Sequence, residues 1–258
     1  MQTLALSRAS DTIDPSTWHQ LRALHAAGNN VTPEFGAVSP NYTGLTNTDL
    51  ARMEAAEYPF SGTVQSVMSE TFHDRAASAK HFDPARPVSV TLFMDLLARS
   101  FGNAGLGSRR RPYPSGGALY SCQVCLWARN VEGLAPGSYH YLPHSRRLER
   151  LEAAAPESVL NALGIATDNT ALPRMADCAF ALLYCALMQV PVAKYGVRGY
   201  RLALLEAGSM YQQMGQEMQN AGLAGRVWGG FEDDRLAMAL GVDPRVAWPL
   251  VVQFGGHA

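Results

Sequence analysis

The segment DCAFALLYCALM, residues 177–188, constrains the fold more than any other. Its apolar run is nearly unbroken, so neither face is left polar for water. It is also far shorter than the ~18 residues that a membrane-spanning helix requires. Such a run reads as a central strand covered on both faces. A second strand follows from ALYSCQVCLWARNV, residues 118–131. There Cys122 and Cys125 fall on opposite faces, because side chains alternate along a strand. A Pro-Gly turn, SYHYL, a Pro-His-Ser turn and RLERL make a hairpin over residues 132–152. WPLVVQFGG, residues 248–256, gives a last strand.

Helices are signalled between these strands. Ser89 can cap VTLFMDLLARSF, which Gly102 ends, with Val90, Phe93, Met94, Leu97 and Phe101 on one face. WHQLRALHAAG and PESVLNALG are short helices, and SVMSETFHDRAASAK carries helical spacing over residues 66–80. RGYRLALLEAGSMYQQMGQEMQNAG is a long core helix stopping at Gly222. GRVWGGFEDDRLAMALG reads as a turn followed by a short helix, with Asp233 and Asp234 suited to its first turn. The expected class is α+β: one core and a mostly antiparallel central sheet flanked by helices. Residues 1–65 are expected to be an arm or cap and residues 66–258 the folded domain.

Of 258 residues, 47% are hydrophobic and 17% charged, with a net charge of −1. That balance excludes a nucleic-acid binder acting through bulk charge. The longest basic run, Arg109-Arg110-Arg111, is too short for a polybasic membrane tract. The N-terminus lacks a basic region followed by an apolar one, so a cytoplasmic protein is expected. Cys122-x-x-Cys125 has no second pair at zinc spacing and lies in a strand, not at a helix start. All four cysteines are expected to be reduced packing residues. The glycine signatures of nicotinamide, P-loop and α/β-hydrolase sites are absent.

Four stretches suggest chemistry. Arg75, Ser78 and Lys80 could cradle a phosphate, or be an exposed polar face. In Tyr113-Pro114-Ser115-Gly116-Gly117, two glycines permit close approach to backbone, although Pro-Ser-Gly-Gly is also ordinary turn chemistry. Lys194 and Tyr195 stand ahead of the long helix, and both are credible general acids or bases; the plainer reading is a surface lysine beside a packing tyrosine. Gly229-Gly230 before an acidic helix start offers backbone N–H groups to a planar ligand, or forms a turn.

Taken in order, RPYPSGGALY, RNVEGLAPGSYHY, KYGVRGYRLALLEAG and WGGFEDDRLAMALGVD resemble the nitroreductase-like flavoproteins, and within them the SagB-type, McbC-like dehydrogenases. The resemblance covers about 180 residues, from Arg75 to the end. It implies a homodimer with FMN at the subunit interface. Ser78-Ala79-Lys80-His81-Phe82 matches the family's Ser-x-Arg-x-Phe, so Ser78 and Lys80 would hold the FMN phosphate and ribityl chain. Two departures stand out: lysine replaces the usual arginine, and Ala76-Ala77 replaces an arginine pair, with Arg75 one step early. One of Arg109, Arg110 or Arg111 could compensate.

The resemblance also implies that Pro114, Ser115, Gly116 and Gly117 lie along the isoalloxazine. Gly229 and Gly230 would point N–H groups at flavin N5, and Gln212 would stand near the cofactor. Lys194-Tyr195 matches the catalytic pair of azoline-oxidising members. The implied activity is oxidation of a thiazoline or oxazoline to the azole, on a ribosomal peptide or a carrier-tethered intermediate, with a heterocyclase as a possible partner. The alternatives are an NAD(P)H-dependent flavin reductase or nitroreductase, and a flavin-free scaffold subunit.

Overall fold

The computed structural model describes residues 10–29, 46, 48, 75–105, 108–152, 154–164 and 175–258. Two compact units partition the chain. Residues 1–33 and 77–258 make the larger one; residues 34–76 make the smaller, described only at Thr46, Thr48, Arg75 and Ala76.

The larger unit is built on a six-stranded antiparallel sheet in the order β5-β4-β2-β6-β8-β7. Its strands are β2 (Cys122–Ala128), β4 (Gly137–Leu142), β5 (Arg147–Arg150), β6 (Phe180–Ala186), β7 (Ala224–Trp228) and β8 (Trp248–Gly256). A separate parallel pair joins β1 (Val88–Ser89) to β3 (Val131–Glu132). The apolar run that opened the sequence reading is β6. Every residue of it is buried, between β2 and β8.

Strand alternation divides the core in two. Val124, Leu126, Tyr139, Tyr141, Leu182 and Tyr184 face α2 (Val90–Phe101) and α5 (Arg198–Asn220). Trp127, Leu183, Cys185, Val252 and Phe254 face the opposite layer, with Val159 of α3 (Pro156–Ala162) and Leu236 of α6 (Asp233–Ala239). Cys122 and Cys125 do fall into different layers, and all four thiols are free and buried. Helix α2 starts where expected: Ser89 Oγ accepts from Leu92 N at 3.3 Å. In α5 the buried positions Gly199, Ala203, Ala207, Met210, Met214 and Met218 recur every three or four residues, a single helical stripe that Glu206 joins beside Ala207.

The N-terminal helix α1 (Pro15–Gly28) is capped by Asp14 and packs on the core of the larger unit, to which it belongs. Its Trp18 and His25 rings lie 5.1 and 4.7 Å from the Trp248 ring. Lys194 and Tyr195 close a helix of their own, α4 (Gln189–Tyr195), just before α5. Two sequence expectations change. Residues 224–228 form an edge strand rather than a turn; their alternate side chains are only half-buried, so the pattern was faint. Residues 75–80 are not helical, and the rest of that expected helix, residues 66–74, lies outside the described residues. Among the described residues no helix is long and apolar enough to cross a membrane.

Candidate active site

The Pro-Ser-Gly-Gly stretch makes a short 3-10 turn over Gly116–Ala118 that leads into β2. Its backbone is unusual. Gly117, Ala118 and Tyr120 have φ of 63°, 53° and 48°. Left-handed backbone costs a non-glycine residue roughly 1–2 kcal/mol, so the surroundings must hold it.

Glu206 is the main restraint. It is buried in α5, at 3% exposure. One carboxylate oxygen accepts from Ser115 Oγ at 2.5 Å and Ser121 Oγ at 3.4 Å; the other accepts from Cys122 N at 2.9 Å. Ser115 Oγ in turn accepts from Tyr120 N at 2.8 Å. The Ser115 hydroxyl therefore shapes the loop, with its proton directed at Glu206. Burial, and after it the Glu206 charge, pushes the Cys122 thiol well above its usual range.

Arg111 is the second restraint. Its Nη1 donates to Tyr113 Oη at 2.8 Å, its backbone N donates to Tyr120 Oη at 3.1 Å, and its guanidinium lies 4.8 Å from the Tyr120 ring centroid. Arg109 and Arg110 are exposed. Of the three arginines Arg109, Arg110 and Arg111, one is thus committed to the loop's own structure.

Lys194 and Tyr195 converge on this turn. A Cβ placed on Gly117 would lie 2.7 Å from Lys194 Nζ and would collide with Tyr195 Oη. The amine is 5.2 Å from the Tyr195 ring centroid. A Cβ on Gly116 would lie 3.0 Å from Leu202 of α5. Two groups able to carry a proton thus face a backbone surface kept bare by glycine.

Ser78, Lys80, Gly229 and Gly230 lie beside β7. Ala79 N donates to Gly225 O at 3.0 Å, and Arg226 Nη1 donates to Ala79 O at 2.9 Å. Ala79 is buried by this clamp, while Ser78 and Lys80 remain exposed on either side of it. Arg226 lies 5.8 Å from the Trp228 ring, and Trp228 Nε1 donates to Leu163 O at 3.1 Å. Gly229 and Gly230 follow directly; a Cβ on Gly229 would meet nothing within 4 Å. Strands β6 and β8 separate β2 from β7, about 14 Å at ordinary strand spacing. Gln212 is exposed on α5, six residues beyond Glu206. Pro114 is exposed in the turn, and Arg75 is exposed in the smaller unit.

Sequence reasoning missed Glu206 and Arg226. The first had a signal: a lone carboxylate on the apolar stripe of LALLEAGSM, where only a paired charge can be buried. The second had none, since its role depends on a strand pairing with a distant segment.

The chain matches the family described as Nitroreductase family over residues 75–256. It is 34% identical to the Microcin B17-processing protein McbC of Escherichia coli, over 98% of this chain and 95% of that one. A chain of the E. coli microcin synthetase McbBCD complex with truncated pro-MccB17 bound superposes with a TM-score of 0.80 at 32% identity, over 98% of this chain and 97% of its own. A more distant structure assigned to the nitroreductases, from Ralstonia eutropha, shares the fold with a TM-score of 0.55 at 20% identity, over 70% of this chain and 79% of its own.

Proposed function

Since the chain belongs to the nitroreductase family and is McbC-like along nearly its full length, we propose that it is an FMN-dependent dehydrogenase oxidising a thiazoline or oxazoline in a peptide to the corresponding azole. The observation that carries this reading is the convergence of Lys194 and Tyr195 on Gly117.

The residues present fit FMN. Exposed Ser78 and Lys80 would hold its phosphate and ribityl chain. Bare backbone at Gly229-Gly230 of one copy and at Gly116-Gly117 of a second copy would border its ring at the interface between them, the open space at Gly229 leaving room for a flat group. FMN, when bound, supplies a two-electron acceptor. The protein's own part is to move the proton. The azoline C–H alpha to a carbonyl is acidic, and the Lys194 amine or the Tyr195 oxygen removes that proton while the other orients the base. Glu206 and Arg111 keep the turn from shifting under the pair.

Similarity to a protein that processes microcin B17, and to a chain of a synthetase complex holding truncated pro-MccB17, supports a peptide substrate and partner subunits, a heterocyclase among them. Exposed Val197, just before α5, and exposed Leu204 and Leu205 in its first half support burial of this helix against a second copy of the chain.

The test begins with the visible spectrum of the purified protein and identification of any released cofactor. FMN is expected. Lys194→Ala and Tyr195→Phe are then expected to retain FMN and lose oxidation of a thiazoline peptide. Full activity in both variants, or a protein that takes up no FMN, overturns the proposal. Rapid reduction by NAD(P)H without azoline oxidation would instead indicate a nitroreductase.

A further inference from the structure

A cavity of about 390 Å³ opens on the sheet face opposite α5. Its walls are aliphatic, from Leu151, Leu187, Val190, Val242, Val246 and Ala247. Two polar side chains line it, Gln123 of β2 and His140 of β4, with Gln123 Oε1 and His140 Nε2 3.1 Å apart. Behind the ring, His140 Nδ1 lies 3.4 Å from a Glu149 carboxylate oxygen. Among the described residues no lysine or arginine lines the cavity, so these walls do not suit a phosphate. The loop that carries Val242 is seated by Gly241, whose φ of +80° brings it so close to the Glu152 carbonyl that no side chain would fit.

Two features tie this cavity to the reacting end of the molecule. Val190 lies in α4 four residues before Lys194, and side chains at that spacing are neighbours on one helix face, about 6 Å apart. Leu187, which lines the cavity, donates its N–H to the Ser121 carbonyl at 3.0 Å, and Ser121 Oγ donates to Glu206. The cavity is thus one helical turn from the amine, and it lies across the sheet from the clamp at the same end of the strands.

We propose that this cavity is a substrate subsite, taking an uncharged apolar side chain next to the ring on which Lys194 and Tyr195 act. The inference rests on the peptide-oxidation reading above. The aliphatic walls select the side chain, and the Gln123–His140 pair offers a hydrogen-bonding edge to the adjoining peptide group. Pockets of a few hundred Å³ with apolar walls and few polar groups are the usual form of such a site.

The test uses the FMN-loaded full chain and two synthetic thiazoline peptides that differ only in the residues flanking the ring, leucine or glycine. kcat/KM is measured for each, and binding of the two matching thiazole products is followed by titration calorimetry. The leucine peptide is expected to be preferred by at least about tenfold, since the whole side chain exceeds the single methylene that already gives that much. Val190→Trp, filling the cavity from α4, and Val246→Trp, filling it from the rim, should each bring the preference close to one by raising KM for the leucine peptide. The flavin absorption spectrum reports whether each variant has folded. No leucine preference in the wild type, or a preference kept in both tryptophan variants, overturns the subsite. If the wild type binds FMN but oxidises neither peptide, the parent reading has failed and calorimetry decides alone. A leucine preference in product binding upholds the subsite, and its absence overturns it.

Discussion

Gly117→Ala separates a catalytic turn from a merely structural one. Gly117 has a φ of 63°, so alanine there costs roughly 1–2 kcal/mol in backbone strain alone. The new Cβ would lie 2.7 Å from Lys194 Nζ, where ordinary contact begins near 3.4 Å, so the amine must withdraw by about 0.7 Å. Tyr195 Oη, which the Cβ would strike, must withdraw further. Lysine can yield by rotating its exposed stem, whereas the half-buried tyrosine ring has less freedom. A misplacement of about 1 Å in a reacting group can cost about 100-fold in rate. Expected, then, is a fall of that order in kcat on a thiazoline peptide, a loss of about 1–2 kcal/mol in urea unfolding, and retention of FMN. Gly229→Ala is the contrast: open space around its Cβ predicts a stability change within about 0.5 kcal/mol but weaker FMN binding. Wild-type kcat in Gly117→Ala at full FMN occupancy would refute the assignment of Lys194 and Tyr195 to the reaction.

Three further outcomes follow from the core. Glu206→Ala should lower the unfolding free energy by about 2–5 kcal/mol, because the Ser115 hydroxyl and the Cys122 amide lose their acceptor in a buried place; chemical denaturation measures it, and a change under 1 kcal/mol would show that water replaces the carboxylate. Burial, with a smaller push from Arg22 against the pull of Asp234, holds His25 below its usual value of 6.5. The unfolded chain therefore takes up this proton first as pH falls, so the stability from burying the neutral ring is complete above about 6.5 and lost below it. The thermal midpoint should drop more between pH 7 and 5 in the wild type than in His25→Phe, which keeps a ring on Trp248; equal drops would contradict this. Cys178 is raised to about 12 and Cys122 and Cys185 well above their usual range, so none of these thiols should react with an aromatic disulfide at pH 8 before unfolding. Rapid labelling of one of them in the native protein would refute their role as packing residues.

Where local pattern and burial agreed, the sequence was readable. The run 180–186, the capped helix after Ser89 and the α5 stripe each state their own environment through periodicity. β7 was not legible, because an edge strand that is half-buried on one side carries no strong alternation. The site was legible only in part. Gly117, Lys194 and Tyr195 could be named from residue type and resemblance, but their convergence depends on α4 folding back over the turn, which no local rule encodes. Arg226 and Ala79 meet across 147 positions of chain, so their bond is a property of the fold alone.

The turn at the sheet's end is held in place by the Glu206 carboxylate and the Arg111 guanidinium. Ala118 and Tyr120 are not glycines, yet both sit in left-handed backbone, an arrangement that would relax if left to solvent. It persists because the Ser115 hydroxyl, the Cys122 amide and the Tyr120 amide each have a fixed partner. Glutamate suits this place better than glutamine. Its two oxygens accept from Ser115 and Ser121 on one side and from Cys122 on the other. An amide that kept its oxygen on the Cys122 N–H would turn its NH2 group to the two serine hydroxyls and reverse both bonds, leaving the Ser115 proton to find another acceptor. The carboxylate buried in the helix therefore fixes the shape of the turn, and the turn decides where Lys194 and Tyr195 stand.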